Sequence, residues 1–340
     1  MTKKTISPDK TIGILGGMGP MATMDVFRKI ILHTQAERDQ DHHKIIVMNN
    51  PKIPSRNEAI LKSGQSPLEQ LILSAKALEE AGADFIIMPC NTAHLWYDDL
   101  QKEVTIPILN MIKITAETLK NTPYKHKQIL LLATSGTVYS KLYQKELESA
   151  GLFLCVPSKS EQKIISSSIE AVKRGLIKNN PYLNSLNKII KKYYSKNVTI
   201  ILSGCTEIPL LFPHLENNCE KIDTNLLLAQ AAIHKAREEQ KVNKVGGINM
   251  QTKHIQLSGK VQGVGFRRYT YKQALLYNIV GWVKNNPNGT VEVVAQGSSE
   301  NMKLFIKRLK KGPKKARVTE FKCLSVTHKT NYTNFKIRSK

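Results

Sequence analysis

The chain has little of what marks an exported or membrane-embedded protein. Its five cysteines (90, 155, 205, 219 and 323) are odd in number, widely spaced and free of any CxxC pair. That favours free thiols in a reducing cytoplasm over disulfides or zinc. No apolar run approaches the length of a membrane span. The N-terminus, MTKKTISPDKTIGILGG, has lysines and one short apolar run but no cleavage pattern, so it does not read as a signal peptide. Acidic residues are scarce at the end of the chain. Residues 252–340 carry 19 Lys and Arg against 3 Glu, a net +16, whereas residues 1–251 carry 32 against 24, a net +8. So sharp a break marks a separate domain, and 340 residues at 41% hydrophobic allow two or three cores. The excess charge fits an anionic substrate, a nucleic acid or a solvated surface.

What is present is a repeat. Residues 84–94 read DFIIMPCNTAH and residues 199–209 read TIILSGCTEIP. Each is an apolar run that predicts a buried strand, then a cysteine (Cys90, Cys205), then polar residues opening a helix, with residues 92–102 helical after Cys90. A thiol at a helix N-terminus is expected to favour the thiolate. Residues 11–20 (TIGILGGMGP) and 128–137 (QILLLATSGT) form a second matched pair, apolar run into Gly-bearing turn, about 115 residues apart like the cysteines. Two α/β halves of similar plan are predicted, about residues 10–120 and 121–240. Gly17, Gly19 and Ala22 formally fit the dinucleotide pattern GxGxxA. Pro20 is wrong for that turn, and the next strand ends in Asn49 and Asn50 with no carboxylate for a ribose, so NAD binding is set aside. Cys155 falls inside a strand and reads as core; Cys219 lies in a polar loop and receives no role. Alone, Arg56 reads as a surface arginine and Lys173 as a lysine serving a helix C-terminus.

Two thiols delivered from equivalent halves suit acid and base work on opposite faces of one carbon. One thiolate removes an α-proton and the opposite thiol returns a proton, which is racemisation. Helix N-termini beside them would hold the carboxylate on which charge builds.

ILGGMGP (14–20), NNPKIPSR (49–56), PCNTAH (89–94), ATSGT (133–137) and GCTEIP (204–209) together resemble the cofactor-independent aspartate/glutamate racemase superfamily, aspartate branch. The resemblance covers residues 10 to about 240. It implies two pseudo-symmetric Rossmann-like subdomains, catalytic Cys90 and Cys205, and no PLP or metal. It further implies a substrate site of Met18, Arg56, Asn91, Thr92, Thr137, Lys173, Thr206 and Glu207. Asn91 and Thr92, with Thr206 opposite, are expected at the α-carboxylate, and Arg56 and Lys173 at the side-chain carboxylate, which favours aspartate. The alternative is broader amino-acid specificity. Decarboxylase relatives need one protonating cysteine; maleate isomerases keep two. Family members are often homodimers.

Residues 241–251 are polar with a Gly pair and read as a linker. Residues 252–340 predict the order β-α-β-β-α-β, an α+β ferredoxin-like sheet with two helices on one face. The loop VQGVGFR (261–267) spaces glycines so that backbone amides of Gln262, Gly263, Val264, Gly265 and Phe266 converge on an anion, with Arg267 as a bidentate donor. GWVKN (281–285) brings Asn285 to a strand end, where its amide would orient water. VQGVGFR, GWVKN and FKIR (335–338) resemble the acylphosphatases. That resemblance implies hydrolysis of acyl phosphates, with Arg267 on the phosphoryl group and Asn285 on the attacking water. The alternatives are a non-catalytic basic binding domain, or nucleic-acid binding through the lysine run from Lys303 to Arg317, where few aromatics interleave. The whole chain reads as bifunctional and cytoplasmic, acting on small molecules, with residues 1–240 and 252–340 as its two enzymes.

Overall fold

The computed structural model describes residues 10–120, 122, 124, 127–216, 218–237, 250–277, 279–325, 332 and 335–338. The chain forms two compact units, one closing at Gln240 and the next opening at Lys241. Most of the expected linker, residues 241–249, lies outside the described residues; Met250 and Gln251, assigned to it from sequence, begin a strand.

The first unit holds two four-stranded parallel sheets. One has the order β2-β1-β3-β4, from β1 (Ile12–Gly16), β2 (Ile45–Asn49), β3 (Phe85–Ile87) and β4 (Ile108–Leu109). The other has the order β6-β5-β7-β8, from β5 (Gln128–Ala133), β6 (Phe153–Cys155), β7 (Ile200–Gly204) and β8 (Glu220–Ile222). The two orders are the same, as the sequence repeat predicts. β1, β3 and β7 are buried throughout and β5 is buried beyond Gln128, which is why they read as continuous apolar runs. In each sheet the connections reverse direction at the first strand, so a crevice opens past the carboxyl ends of β1 and β3, and of β5 and β7.

The halves exchange helices. Helix Met111–Lys120 falls in the first half by sequence, yet its Ile112, Ala116 and Leu119 pack with Ile129, Leu131 and Tyr143 of the second. Helix Thr224–Ala236, from the second half, packs Leu228, Ala229 and Ala232 against Ile12, Ile14 and Val26. A buried polar network joins the same elements. Lys29, on helix Pro20–His33, pairs with Asp25 and, at 2.7 Å, with Asp223, the N-cap of helix Thr224–Ala236. Asn225 Nδ2 donates to Asp25 Oδ2 at 2.9 Å and to the Ala22 carbonyl at 3.1 Å.

One element differs from expectation. The segment after Cys90 is a 3-10 turn, Thr92–Trp96, followed by helix Tyr97–Lys102. The Cys90 carbonyl, which an α-helix would offer to the His94 amide, accepts instead from the His94 imidazole at 2.9 Å, and the His94 amide bonds Asn91 O. After Cys205 a bare turn leads to the four-residue helix Ile208–Leu211. Neither cysteine therefore opens a substantial helix dipole.

The second unit is one sheet, β12-β9-β11-β10-β13, from β9 (Met250–Lys260), β10 (Val280–Asn285), β11 (Val291–Ser298), β12 (Arg317–Ser325) and β13 (Phe335–Ile337). Helices Phe266–Leu276 and Ser299–Lys311 supply Phe266, Tyr271 and Phe305 to a core with Ile255, Leu257, Val293 and Phe335. This is the predicted α+β arrangement with a fifth edge strand.

Lys29→Met would leave Asp25 and Asp223 buried without their cation. A loss of about 3–5 kcal/mol is expected, read by urea unfolding followed through Trp96 in a Trp282→Phe background; a loss below about 1 kcal/mol would show that the network carries no such load.

Candidate active sites

Past the carboxyl ends of β1, β3, β5 and β7 lies one cleft with about 330 Å³ of empty space, its open mouth included. Cys90 and Cys205, each 5% exposed, both line it. Of the other residues singled out in this part of the sequence, Met18, Arg56, Asn91, Thr92, Lys173, Thr206 and Glu207 also line it, joined by Ser55, Asn57 and Thr134.

The cleft is held from both sides by bonds that cross between the halves. The Gly19 amide donates to Glu207 Oε1 at 3.2 Å, and the Gly136 amide donates to Asn57 Oδ1 at 3.0 Å. The two glycines occupy matching places in the repeat. At Gly136 a Cβ would stand 2.5 Å from Asn57 Oδ1, so a larger residue would displace that side chain. Thr206 Oγ1 donates to the Pro89 carbonyl at 3.2 Å.

Thr137 is corrected. It is fully buried and does not line the cleft. Its hydroxyl lies 2.8 Å from that of Thr92 and 3.1 Å from that of Thr134, with Thr92 and Thr134 2.9 Å apart, so the three form a closed ring that ties Thr137 to the cleft residues Thr92 and Thr134. Tyr143, unsuspected from sequence, donates to Asn91 Oδ1. Burial raises its pKa, which keeps it a donor. That bond fixes the Asn91 amide, whose Nδ2 is buried without a protein acceptor. Arg56 is similarly placed. Its Nη1 holds the Ile53 and Pro54 carbonyls at 3.1 and 2.8 Å, its Nη2 the Met18 carbonyl at 3.3 Å, and its buried Nε has no acceptor. Lys173 pairs with Glu170 at 2.8 Å. Burial works against its ammonium, but Cys205 once ionised and the carboxylates of Glu207 and Glu170 outweigh this and raise its pKa.

The thiol expectation is reversed at Cys205. Burial first, then the charge of Glu207, push its pKa well above the ordinary cysteine range, against the pull of Lys173. Sγ donates to Glu207 Oε2 at 2.9 Å, so Glu207, expected at the substrate, is bound to the thiol. His94 lies behind Cys90: Nδ1 donates to the Cys90 carbonyl and Nε2 accepts from the Met111 amide at 3.0 Å, which fixes a neutral ring.

In the second unit, β9 and β10 both run antiparallel to β11, and Leu257 and Asn285 both pair with Val291, so their carboxyl ends share one edge. The loop after β9 is tied there. Gln262 Nε2 donates to the Asn286 and Thr290 carbonyls at 2.9 and 2.8 Å, so its side chain anchors the loop and only its backbone amide remains for an anion. Gly263 and Gly265 have φ of +72° and +76°, and a Cβ at either would meet nothing within 4 Å, leaving open space before the loop. Arg267 is the second residue of helix Phe266–Leu276 and has no partner among the described residues. Among the described residues no group of three or more His, Cys, Asp or Glu could hold a metal ion, and no helix is long and apolar enough to cross a membrane.

Two parallel-sheet halves presenting one cysteine each to a common cleft, with a separate α+β unit behind a glycine-spaced loop, define a two-domain enzyme architecture. Residues 15–232 match the Asp/Glu/Hydantoin racemase family and residues 253–337 match the acylphosphatases. The chain is 29% identical over 226 residues to the broad specificity amino-acid racemase RacX of Bacillus subtilis, spanning 65% of this chain and 96% of that protein. It is 34% identical to the solved Picrophilus torridus aspartate racemase, with a TM-score of 0.59, covering 69% of this chain and all of that one. Its C-terminal part is 37% identical over 87 residues to the acylphosphatase of Bordetella parapertussis, spanning 26% of this chain and 93% of that protein. The chain belongs to the Asp/Glu/Hydantoin racemase family and carries a C-terminal acylphosphatase domain.

Burial drops the His94 pKa from 6.5 to about 4. The unfolded chain then binds a proton that the native ring refuses, so the stability is full above pH 6.5 and is lost as pH falls towards 4. The loss is about 3 kcal/mol. His94→Gln should flatten the decline in unfolding free energy between pH 7 and 4 by that amount; an unchanged slope would place the acid sensitivity elsewhere.

Proposed function

We propose that the first domain racemises an amino acid, aspartate in particular, by proton transfer between two thiols. One sulfur removes the α-proton as a thiolate and the other delivers its proton to the opposite face, so that neither a proton nor an electron pair is gained or lost over the reaction. The observation that supports the substrate assignment is that Arg56 and Asn91, each with a buried donor (Nε and Nδ2) that has no acceptor among the described residues, line the same cleft as both cysteines. A buried donor without an acceptor costs about 1–3 kcal/mol. A dicarboxylic amino acid would answer both, its α-carboxylate at Asn91, Thr92 and Thr206 and its side-chain carboxylate at Arg56 with Lys173. The likeness to an aspartate racemase supports this reading; the likeness to a broad specificity racemase keeps other amino acids in the test.

We further propose that the second domain hydrolyses acyl phosphates. The loop amides and Arg267 would hold the phosphoryl oxygens while Asn285 orients water. Water oxygen bonds to phosphorus, the bond to the acyl oxygen breaks, and carboxylate leaves with phosphate. The shared sheet edge and an Arg267 with no partner among the described residues support this assignment.

A chiral assay across D- and L-amino acids in D2O should show α-deuterium entering both enantiomers of aspartate, fastest for aspartate. Cys90→Ala and Cys205→Ala should each cut racemisation by about 10²–10⁴-fold. Undiminished turnover in either variant would rule out the two-thiol route, and equal rates on apolar amino acids would replace aspartate by broad specificity.

Benzoyl phosphate hydrolysis by the full chain should fall about 10²–10³-fold in Arg267→Ala. No hydrolysis by the unaltered chain would make this domain a binding module.

A further inference from the structure

The repeat that gives the two halves their common plan is broken at one chemically important place. Aligning residues 84–94 with 199–209 sets Cys90 against Cys205, Asn91 against Thr206, and Thr92 against Glu207. Thr92 turns its hydroxyl to Thr134 and Thr137. Glu207 turns its carboxylate to the neighbouring sulfur, 2.9 Å away. We propose that Glu207 is a positioning residue that holds the proton on Cys205 between turnovers, so that the resting enzyme presents Cys205 as its acid and Cys90 as its base. The assignment of Cys90 rests on the two-thiol reading above; the hold on Cys205 does not.

The carboxylate has no freedom to move away from the sulfur. Oε1 accepts the Gly19 amide from the other half, and Oε2 accepts the thiol, with the Thr206 hydroxyl, 3.3 Å from Oε2, sharing its one proton between Oε2 and the Pro89 carbonyl. Glu207 is 1% exposed, so little of the carboxylate is left to solvent. Removing the Cys205 proton would set two anions 2.9 Å apart among buried groups, where like charges disfavour the second ionisation. The other groups facing this sulfur are Lys173, which favours the thiolate, and the Tyr143 phenol, which stays protonated. The net effect of burial and Glu207 over Lys173 is a raised thiol. A racemase must accept both enantiomers, and its equilibrium constant of one requires equal kcat/KM in the two directions. Unequal resting thiols are compatible with that, because the bias falls on the return of the free enzyme to its starting protonation state.

The test is thiol modification of the full chain by methyl methanethiosulfonate across pH 6–10, read at the Cys205 peptide by mass spectrometry. In Glu207→Gln the carboxylate charge is gone while the shape is kept. The midpoint for Cys205 should fall by at least about one pH unit, which is about a tenfold faster modification at pH 7.5. Glu207→Asp, with a shortened reach, should fall between the two and provides a second reading if the first variant folds poorly. The alkaline limb of the kcat/KM profile should move down with the modification midpoint. A midpoint unchanged in both variants would overturn the proposal and leave burial alone as the holder of the proton. Cys205→Ala with undiminished racemisation would instead sink the two-thiol reading while leaving the Glu207 effect on modification intact.

Discussion

Two backbone amides, those of Gly19 and Gly136, cross from one half of the first domain to a side chain of the other, and the racemase cleft depends on that exchange. Each glycine stands at the first turn of its half. Each donates to a polar side chain, Glu207 or Asn57, that lines the cleft. The threonine ring of Thr92, Thr134 and Thr137 and the bond from Thr206 to the Pro89 carbonyl add two more ties across the same seam. The thiols share a cleft because these short polar contacts hold the ends of four central strands together.

The strands and their order could be read because parallel strands buried on both faces are written as unbroken apolar runs. The doubling of plan followed from matching DFIIMPCNTAH with TIILSGCTEIP. The exchange of helices Met111–Lys120 and Thr224–Ala236 could not be read, since periodicity shows that a face is buried and is silent on what buries it. The 3-10 turn after Cys90 was hidden for a related reason. It depends on where the His94 imidazole points, and side-chain to backbone bonds of that kind compete with helix without changing residue type.

At the site, residue types were more legible than their duties. Arg56, Asn91 and the two cysteines line one cleft, while Thr137 stands one layer behind it. The expected lowering of the thiol pKa took account of helix dipoles and left out burial. At Cys205 a short turn, burial and an adjacent carboxylate outweigh any dipole. In the second domain Gln262 was expected at the phosphate; its side chain serves the β10–β11 turn instead, an anchoring role that a loop motif does not distinguish from binding.

The helix exchange also bears on how anything enters the racemase cleft. A two-lobed enzyme whose lobes meet only at a seam is able to gape like a bivalve shell. Here each lobe has surrendered a helix to its neighbour's interior, and wide opening would extract Leu228 and Ala229 from one hydrophobic core and Ile112 and Leu119 from the other. Admission is therefore a matter for the mouth the cleft already has, while the walls behind it keep their spacing.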